Sequence, residues 1–110
     1  MTYKEVASMM GELGVPYAYY QFDESTAKPC PFMVFYYPGR DDFIADDRNY
    51  SPVTRLIVEL YTDDKDFELE AAVEGVWSSH GLVFTKSENY IDSEKMYQII
   101  YETEITIHGE

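Results

Sequence analysis

Apolar residues near the N-terminus recur at the spacing of an α-helix. Residues 2–13 place apolar side chains on one side and polar side chains on the other, which is typical of an amphipathic helix. Thr2 and Glu5 have the spacing of a capping box, in which the two side chains accept hydrogen bonds from free backbone N–H groups. Gly14 suits a left-handed C-terminal cap and Pro16 cannot continue a helix, so we expect the helix to end before them. The apolar stripe consists of Tyr3, Val6, Met10 and Leu13, with Met9 beside it.

Three segments in the first half of the chain are predicted to be β-strands. Residues 17–22 are short and aromatic, which suits a strand. Residues 31–37 are apolar at successive positions, so we expect a central strand that is covered on both sides. Residues 53–62 alternate between the two faces of a sheet. The apolar face of this third strand consists of Leu56, Val58 and Leu60.

A second amphipathic helix is predicted after the third strand. Its apolar residues fall at positions i, i+4, i+7 and i+8, which forms one stripe. Asp63 or Asp64 is predicted to cap its N-terminus, and Gly81 is predicted to end it. The stripe consists of Leu69, Val73, Val76 and Trp77.

Two more strands are predicted at residues 82–86 and 96–108, separated by a polar turn over residues 87–94. The order of elements is then αβββαββ. This order predicts the α+β class, with a mainly antiparallel sheet and two helices packed on one face. We expect residues 1–110 to form a single domain, because no repeat or linker divides the chain.

The charge of the chain excludes several classes of function. Its 110 residues include 8 Lys and Arg against 21 Asp and Glu, a formal net charge of −13. Specific binding of nucleic acid is not expected, because phosphate binding needs clustered Lys and Arg.

No apolar run approaches the roughly 18 residues of a membrane span, and the N-terminus lacks the pattern of a secretory signal. The single Cys30 excludes an intrachain disulfide and fits a reducing compartment.

Side chains that carry catalytic chemistry are few and scattered. His80 is expected at a helix C-terminus, where an imidazole can meet free carbonyls, and His108 lies near the end of the chain. Cys30 lies between two prolines, with no nearby base to activate its thiol. The run Asp63-Asp64-x-Asp66 lacks the glycine and distal glutamate of a calcium loop, so a helix cap is expected instead. We therefore expect no enzyme activity, no catalytic residue, no metal site and no cofactor.

Tyrosine gives the positive signal for function. The chain has eleven tyrosines, and tyrosine is enriched where proteins contact one another. Packing within the sheet explains part of this content, but two helices can cover only one face of the predicted sheet. We therefore expect a partner to cover the second face and the chain to form oligomers. The tyrosines on predicted strands are Tyr19, Tyr20, Tyr36, Tyr37, Tyr61, Tyr97 and Tyr101.

The sequence resembles a family of short tail-assembly proteins from siphophages and prophages of Gram-positive bacteria. The resemblance covers nearly the whole chain, although none of its segments is a catalytic signature. The segments that carry it are GVPYAYY (14–20), FMVFYY (32–37), LYTDDKD (60–66) and YIDSEKMYQ (90–98). In this order and at this length they look like proteins encoded just before the major tail protein.

The resemblance implies a tail terminator or head–tail joining protein, with no catalytic residues. Such proteins form a homo-oligomeric ring, commonly of six subunits, that stops polymerisation of the tail tube. The implied partners are the phage tail-tube protein and the head connector protein, with no membrane involved. The implied location is the tail of the virion, assembled in the cytoplasm of the host bacterium. DNA would cross the lumen without specific binding, since an acidic lining offers no Lys or Arg to replace counterions.

Two alternatives stay open at this point. One is a neighbouring head-completion or stopper component of the same connector. The other belongs to a different class, a small acidic regulatory protein or DNA mimic that occupies a basic partner surface.

The acidic segment over residues 39–49 is predicted to reach the subunit interface of such a ring. Repulsion among its carboxylates favours an extended loop, although two apolar residues inside it could pair briefly as an edge strand. Alternatively, its paired aspartates could share a hard cation. The predicted interface residues are Asp41, Asp42, Phe43, Ile44, Arg48 and Arg55, with Arg40, Asp46 and Asp47 nearby.

Overall fold

The computed structural model describes residues 1–21, 29–45 and 48–107, with the backbone alone over 43–45 and 48–51. This part of the chain contains two α-helices, a five-stranded mixed sheet and a separate two-stranded hairpin, which confirms the α+β class. The helices are α1 (Tyr3–Met10), followed by a 3₁₀ turn (Gly11–Leu13), and α2 (Phe67–Ser79). The strands are β1 (Tyr17–Tyr19), β2 (Phe32–Tyr36), β3 (Phe43–Ala45), β4 (Arg48–Ser51), β5 (Thr54–Thr62), β6 (Phe84–Ile91) and β7 (Met96–Ile105).

The main sheet has the strand order β1-β2-β5-β7-β6. β2, β5, β7 and β6 pair in antiparallel fashion, whereas β1 runs parallel to β2. A parallel neighbour requires a long connection, and residues 20–31 connect these two strands. The sheet is therefore mixed, and the prediction of a mainly antiparallel sheet holds for every pair except the first.

The element order differs from the predicted αβββαββ because an extra hairpin interrupts it. β3 and β4 pair with each other in a separate sheet, where the sequence predicted an extended acidic loop. The bridge between Arg40 and Thr54 holds the start of this segment against β5.

β6 also differs from its prediction, because it runs through most of the residues assigned to a polar turn. The turn is shorter and covers only Asp92 to Lys95, with Lys95 at a positive φ of 54°. Pairing with β7 holds residues 85–89 in an extended conformation despite their low intrinsic strand preference. β6 lies at the edge of the sheet, so polar side chains there remain in water.

Both helices begin at side-chain caps. Thr2 and Glu5 form the predicted capping box of α1. The prediction for α2 was wrong, because Asp66 is its N-cap instead of Asp63 or Asp64, and the Asp66 carboxylate accepts a hydrogen bond from the Leu69 N–H at 3.0 Å.

The apolar sides of both helices pack on the same face of the sheet. Val73 and Trp77 of α2 are buried there, as the stripe predicted. The buried cluster is Val6, Met9, Met10, Val15, Met33, Phe35, Leu56, Val58, Leu60, Val73, Trp77, Ile99, Tyr101 and Ile105. The alternate residues of β2, β5 and β7 point to the opposite face, which no helix of the described chain covers.

Candidate interaction surfaces

The β1 edge of the sheet carries a cluster of five tyrosines, four of them exposed, here called the tyrosine margin. Tyr19 makes an edge-to-face contact with Phe35, and Tyr20 packs against Tyr36 with ring centroids 5.0 Å apart. Tyr20, which follows β1, has a positive φ of 69°, and its side chain is 64% exposed. The margin consists of Tyr3, Tyr17, Tyr19, Tyr20 and Tyr37.

The strands of the tyrosine margin are free of formal charge. Residues 13–21 and 29–39 contain no Asp, Glu, Lys or Arg, although the whole chain has a net charge of −13. Burial and the neighbouring Tyr3 and Tyr19 raise the pKa of Tyr37 to about 12, so its hydroxyl remains neutral near pH 7. Another molecule can therefore contact the two strands of this margin without bringing like charges together.

The opposite edge of the sheet is protected against strand pairing. β6 carries Lys86 and Glu88, whose side chains lie toward α2, and charged side chains that point inward discourage pairing at an edge. Its other residues between Thr85 and Asn89 are also polar and exposed. The two edges of the sheet are therefore chemically different.

Under α2, a buried carboxylate holds the two lysines of this region. Glu70 is 1% exposed, and its oxygens lie 2.6 Å from the Lys65 ammonium and 2.8 Å from the Lys86 ammonium. Lys65 also pairs with Glu88, and Lys86 pairs with Glu74. This network ties α2 to β6, and we interpret it as structural.

The face of the sheet away from the helices, here called the open face, has a carboxylate at its centre. Strand register places Val34 and Ile100 on either side of Glu59. Val34 is buried, and most other residues of the face are half-buried. The open face consists of Phe32, Val34, Tyr36, Ile57, Glu59, Tyr61, Gln98, Ile100 and Glu102.

Glu59 is held by hydrogen bonds from three neighbouring side chains. The Tyr36 hydroxyl donates to Oε2 and the Tyr61 hydroxyl donates to Oε1, both at 2.6 Å. The Gln98 amide donates to Oε1 at 3.2 Å and to the Tyr61 hydroxyl at 2.9 Å. The Asn89 side-chain amide in turn donates to the side-chain oxygen Oε1 of Gln98. Glu59 therefore has a fixed orientation.

Both tyrosines remain donors to this carboxylate over the physiological pH range. Burial, followed by the hydrogen bond to Glu59, raises the pKa of Tyr61 to about 12. The same two causes raise the pKa of Tyr36 well above its ordinary value. Among the residues that the structure describes, no Lys, Arg or His is paired with Glu59.

The predicted interface residues fall into two groups. Asp42 pairs with Arg40 at 2.7 Å and accepts a hydrogen bond from the Val53 N–H, while Asp41 lies 3.6 Å from the Arg55 guanidinium. Asp41, Asp42 and Arg55 thus already make contacts within the chain. Phe43 and Ile44 lie on β3 and Arg48 lies on β4, so the structure brings these residues into one hairpin. The side chains of these last three, and all of Asp46 and Asp47, lie outside the described residues.

Cys30 and His80 make structural contacts. Burial and the neighbouring Asp63 raise the pKa of the Cys30 thiol, which disfavours the reactive thiolate. The His80 ring pairs with Glu12, where the sequence predicted contacts with free carbonyls. His108 lies outside the described residues. Within the described ranges, no group of three His, Cys, Asp or Glu residues could hold a metal ion.

No helix in the described part of the chain has the length and apolar character needed to span a membrane. A scan of the sequence against models of protein families gives no match. A search of curated proteins gives no significant match either.

Sequence reasoning did not identify the Glu59 network. Alternation along β5 placed Glu59 among the polar positions of its strand, which resembles any solvated face. The contributions of Tyr36 and Gln98 depend on the register of β2, β5 and β7, and the pattern of a single strand does not contain that register. The signal that could have been used is the alternation of Phe32, Val34 and Tyr36 on a face that no helix covers.

Proposed function

We propose that this chain is a self-associating structural subunit, of the tail-terminator kind that its sequence resembles. In this role, copies of the chain form a ring at the head-proximal end of a phage tail tube and stop its polymerisation. The ring also joins the tail to the head connector.

The observation that carries the proposal is the tyrosine margin, whose strands are uncharged in a strongly acidic chain. Four tyrosines there, Tyr3, Tyr17, Tyr19 and Tyr20, are between 41% and 64% exposed. Since an aromatic side chain can bury about 150–250 Å², they offer roughly 400 Å² per copy. A stable interface buries about 800 Å² per partner. The margin therefore favours a contact that is weak alone and gains strength when several copies close a ring.

The first test is the mass of the purified protein by light scattering and sedimentation. We expect a concentration-dependent assembly heavier than the 12.8 kDa chain, and ring-shaped particles in negative stain. Tyr20→Ser should weaken each contact by about 1–2 kcal/mol, because fully burying a large apolar side chain is worth about 1.5–3 kcal/mol. Tyr90→Ser is the matched control, since Tyr90 is 47% exposed on the protected β6 edge.

The second test is made in the phage. Deletion of the gene should leave filled heads and free tails of uncontrolled length. Tails of normal length in the deletion would exclude a terminator. A wild-type protein that stays monomeric at all concentrations, alone and with its tail-tube protein, would exclude the ring.

A further inference from the structure

We propose that the open face is a docking surface for a different protein, which presents an arginine side chain to Glu59 from apolar surroundings. The open face adjoins the tyrosine margin where Tyr36 packs against Tyr20, but its centre at Glu59 lies on β5, two strands in from the β1 edge, so this contact goes beyond self-association. It does not require the chain to form a ring.

The open face combines apolar and aromatic residues with two carboxylates, of which Glu59 is held in one orientation and Glu102 lies opposite Ile57. Phe32 and Tyr61 stack with ring centroids 4.8 Å apart, and Val34 and Ile100 flank the central carboxylate. An occupant that covered this face with apolar groups alone would remove water from Glu59 without replacing it. Burying a charge without a partner is costly, so the face selects an occupant that brings a cation.

The hydrogen bonds of Glu59 leave room for that cation. Among the described side chains, Tyr36 donates to Oε2, while Tyr61 and Gln98 donate to Oε1. A carboxylate has about four acceptor positions, so Oε2, which accepts from Tyr36 alone among these side chains, has capacity for another donor. A guanidinium group can pair with a carboxylate and stack on aromatic rings at once, and here Tyr36 and Tyr61 lie beside the carboxylate.

A second copy of this chain is a poor occupant of the open face. Face-to-face contact would bring two Glu59 carboxylates together in a chain of net charge −13. Several of its own cations are already engaged within the subunit. These are Arg40 with Asp42, Arg55 with Asp41, Lys65 with Glu70 and Glu88, and Lys86 with Glu70 and Glu74. Charge complementarity therefore favours a basic partner of a different sequence.

The test uses the full-length chain and two short peptides, acetyl-Leu-Arg-Leu-amide and its neutral citrulline analogue. Binding is followed by NMR through the side-chain carboxyl carbon of Glu59 and the backbone amides. We expect the arginine peptide to shift signals around Val34, Glu59 and Ile100, and the citrulline peptide to leave them in place. Glu59→Gln should weaken the arginine peptide about tenfold or more, since hydrogen bonds to charged groups are worth about 1.5–3 kcal/mol.

Glu68→Gln is the control, because it removes the same charge from an exposed position of α2, on the other side of the sheet. It should change the affinity by less than about twofold, as screened surface charges do. Tyr36→Phe tests the geometry separately, because it removes one hydroxyl that orients Glu59 and keeps the ring. It should weaken the arginine peptide severalfold, which keeps the proposal testable if Glu59→Gln does not fold.

Three outcomes would overturn the proposal. The first is equal binding of the arginine peptide to the wild type and to Glu59→Gln. The second is a set of shifts spread over the acidic surface and reduced equally by Glu68→Gln. The third is a shift of the open-face signals with protein concentration alone, which would make a second copy the occupant. Sedimentation of the same samples reports ring formation separately, so failure of the ring and failure of this surface are distinguishable.

Discussion

Replacement of Glu70 by glutamine removes the charge at the centre of the buried ion network. Glutamine keeps the shape of the side chain and one acceptor oxygen, but it no longer neutralises two ammonium groups. Lys65 and Lys86 lie 2.6 Å and 2.8 Å from the Glu70 oxygens, so both lose a direct partner. The introduced amide would also place its hydrogens close to one of these ammonium groups.

The size of the effect follows from the burial of the three side chains. Removing one partner of a fully buried ion pair costs about 3–5 kcal/mol. Lys65 and Lys86 are 22% and 36% exposed, and each keeps a second carboxylate, on Glu88 and Glu74 respectively. We therefore expect a loss of about 2–3 kcal/mol. In a domain of this size that loss lowers Tm by roughly 8–12 °C.

The pH dependence gives an independent check. Burial alone would raise the pKa of Glu70, but the hydrogen bonds and charges of Lys65 and Lys86 outweigh it and hold the pKa below the ordinary 4.5. Because the pKa of Glu70 is lower in the folded state, its ionised form stabilises the protein at any pH above the ordinary pKa. This stabilisation is lost as the pH falls through the pKa of the folded state. The wild type and Glu70→Gln should therefore differ most near neutral pH and converge in acid.

The assay is urea unfolding at pH 7 and at pH 3, followed by far-UV circular dichroism. Glu68→Gln serves as the control, because Glu68 lies exposed in the same first turn of α2 and should change stability by less than about 0.5 kcal/mol. If Glu70→Gln and Glu68→Gln are equally stable at pH 7, the network contributes nothing and the reasoning is refuted. A difference that persists unchanged at pH 3 would show that the effect is one of packing and not of charge.

Two further substitutions test the core and the predicted interface. Trp77→Ala should cost about 3–5 kcal/mol, since Trp77 is 2% exposed and its ring meets Tyr101 edge-to-face, and an unchanged melting temperature would contradict this packing. Phe43→Ser should leave the melting temperature of the dilute subunit nearly unchanged, because β3 pairs outside the main sheet. The same variant should weaken each subunit contact of the ring by up to about 1.5–3 kcal/mol. It should therefore also complement tail joining less well than the wild type. Unfolding of the monomer would instead place Phe43 in the intrachain core.

The elements that the sequence predicted well are those with a strong local signal. The capping box of Thr2 and Glu5 is a contact within one turn, so it forms whatever the rest of the fold does. The stripe that contains Val73 and Trp77 requires only an apolar surface on one side of α2. Both signals are complete within about a dozen residues.

The errors occur where distant residues decide the local structure. α2 begins at Asp66 and not at Asp63 or Asp64, and Lys65, just before this cap, pairs with the buried Glu70. β6 extends through polar residues because β7 provides a partner for its backbone. In both cases a contact between residues distant in sequence outweighs the local preference of the segment.

The two candidate surfaces were predictable from the sequence to different extents, because one depends on local signals and the other on the pairing of distant strands. The excess of tyrosine and the uncovered second face follow from composition and alternation alone. The central position of Glu59 requires the register of three strands, of which β2 and β7 are separated by some sixty residues of sequence. A pattern can therefore indicate that a face needs a partner, but only the register indicates which chemistry that partner must bring.

A net charge of −13 acts differently on the two proposed contacts. Repulsion between acidic copies opposes self-association over the whole surface. It is weakest along the tyrosine margin, where the strands carry no charge. The same acidity attracts a basic partner to the whole surface without selecting a site. Glu59 adds the selection, because it is the acidic side chain that Tyr36, Tyr61 and Gln98 hold in one orientation on an apolar face. Added salt should therefore strengthen contacts between copies, by screening their repulsion, and weaken the contact at Glu59.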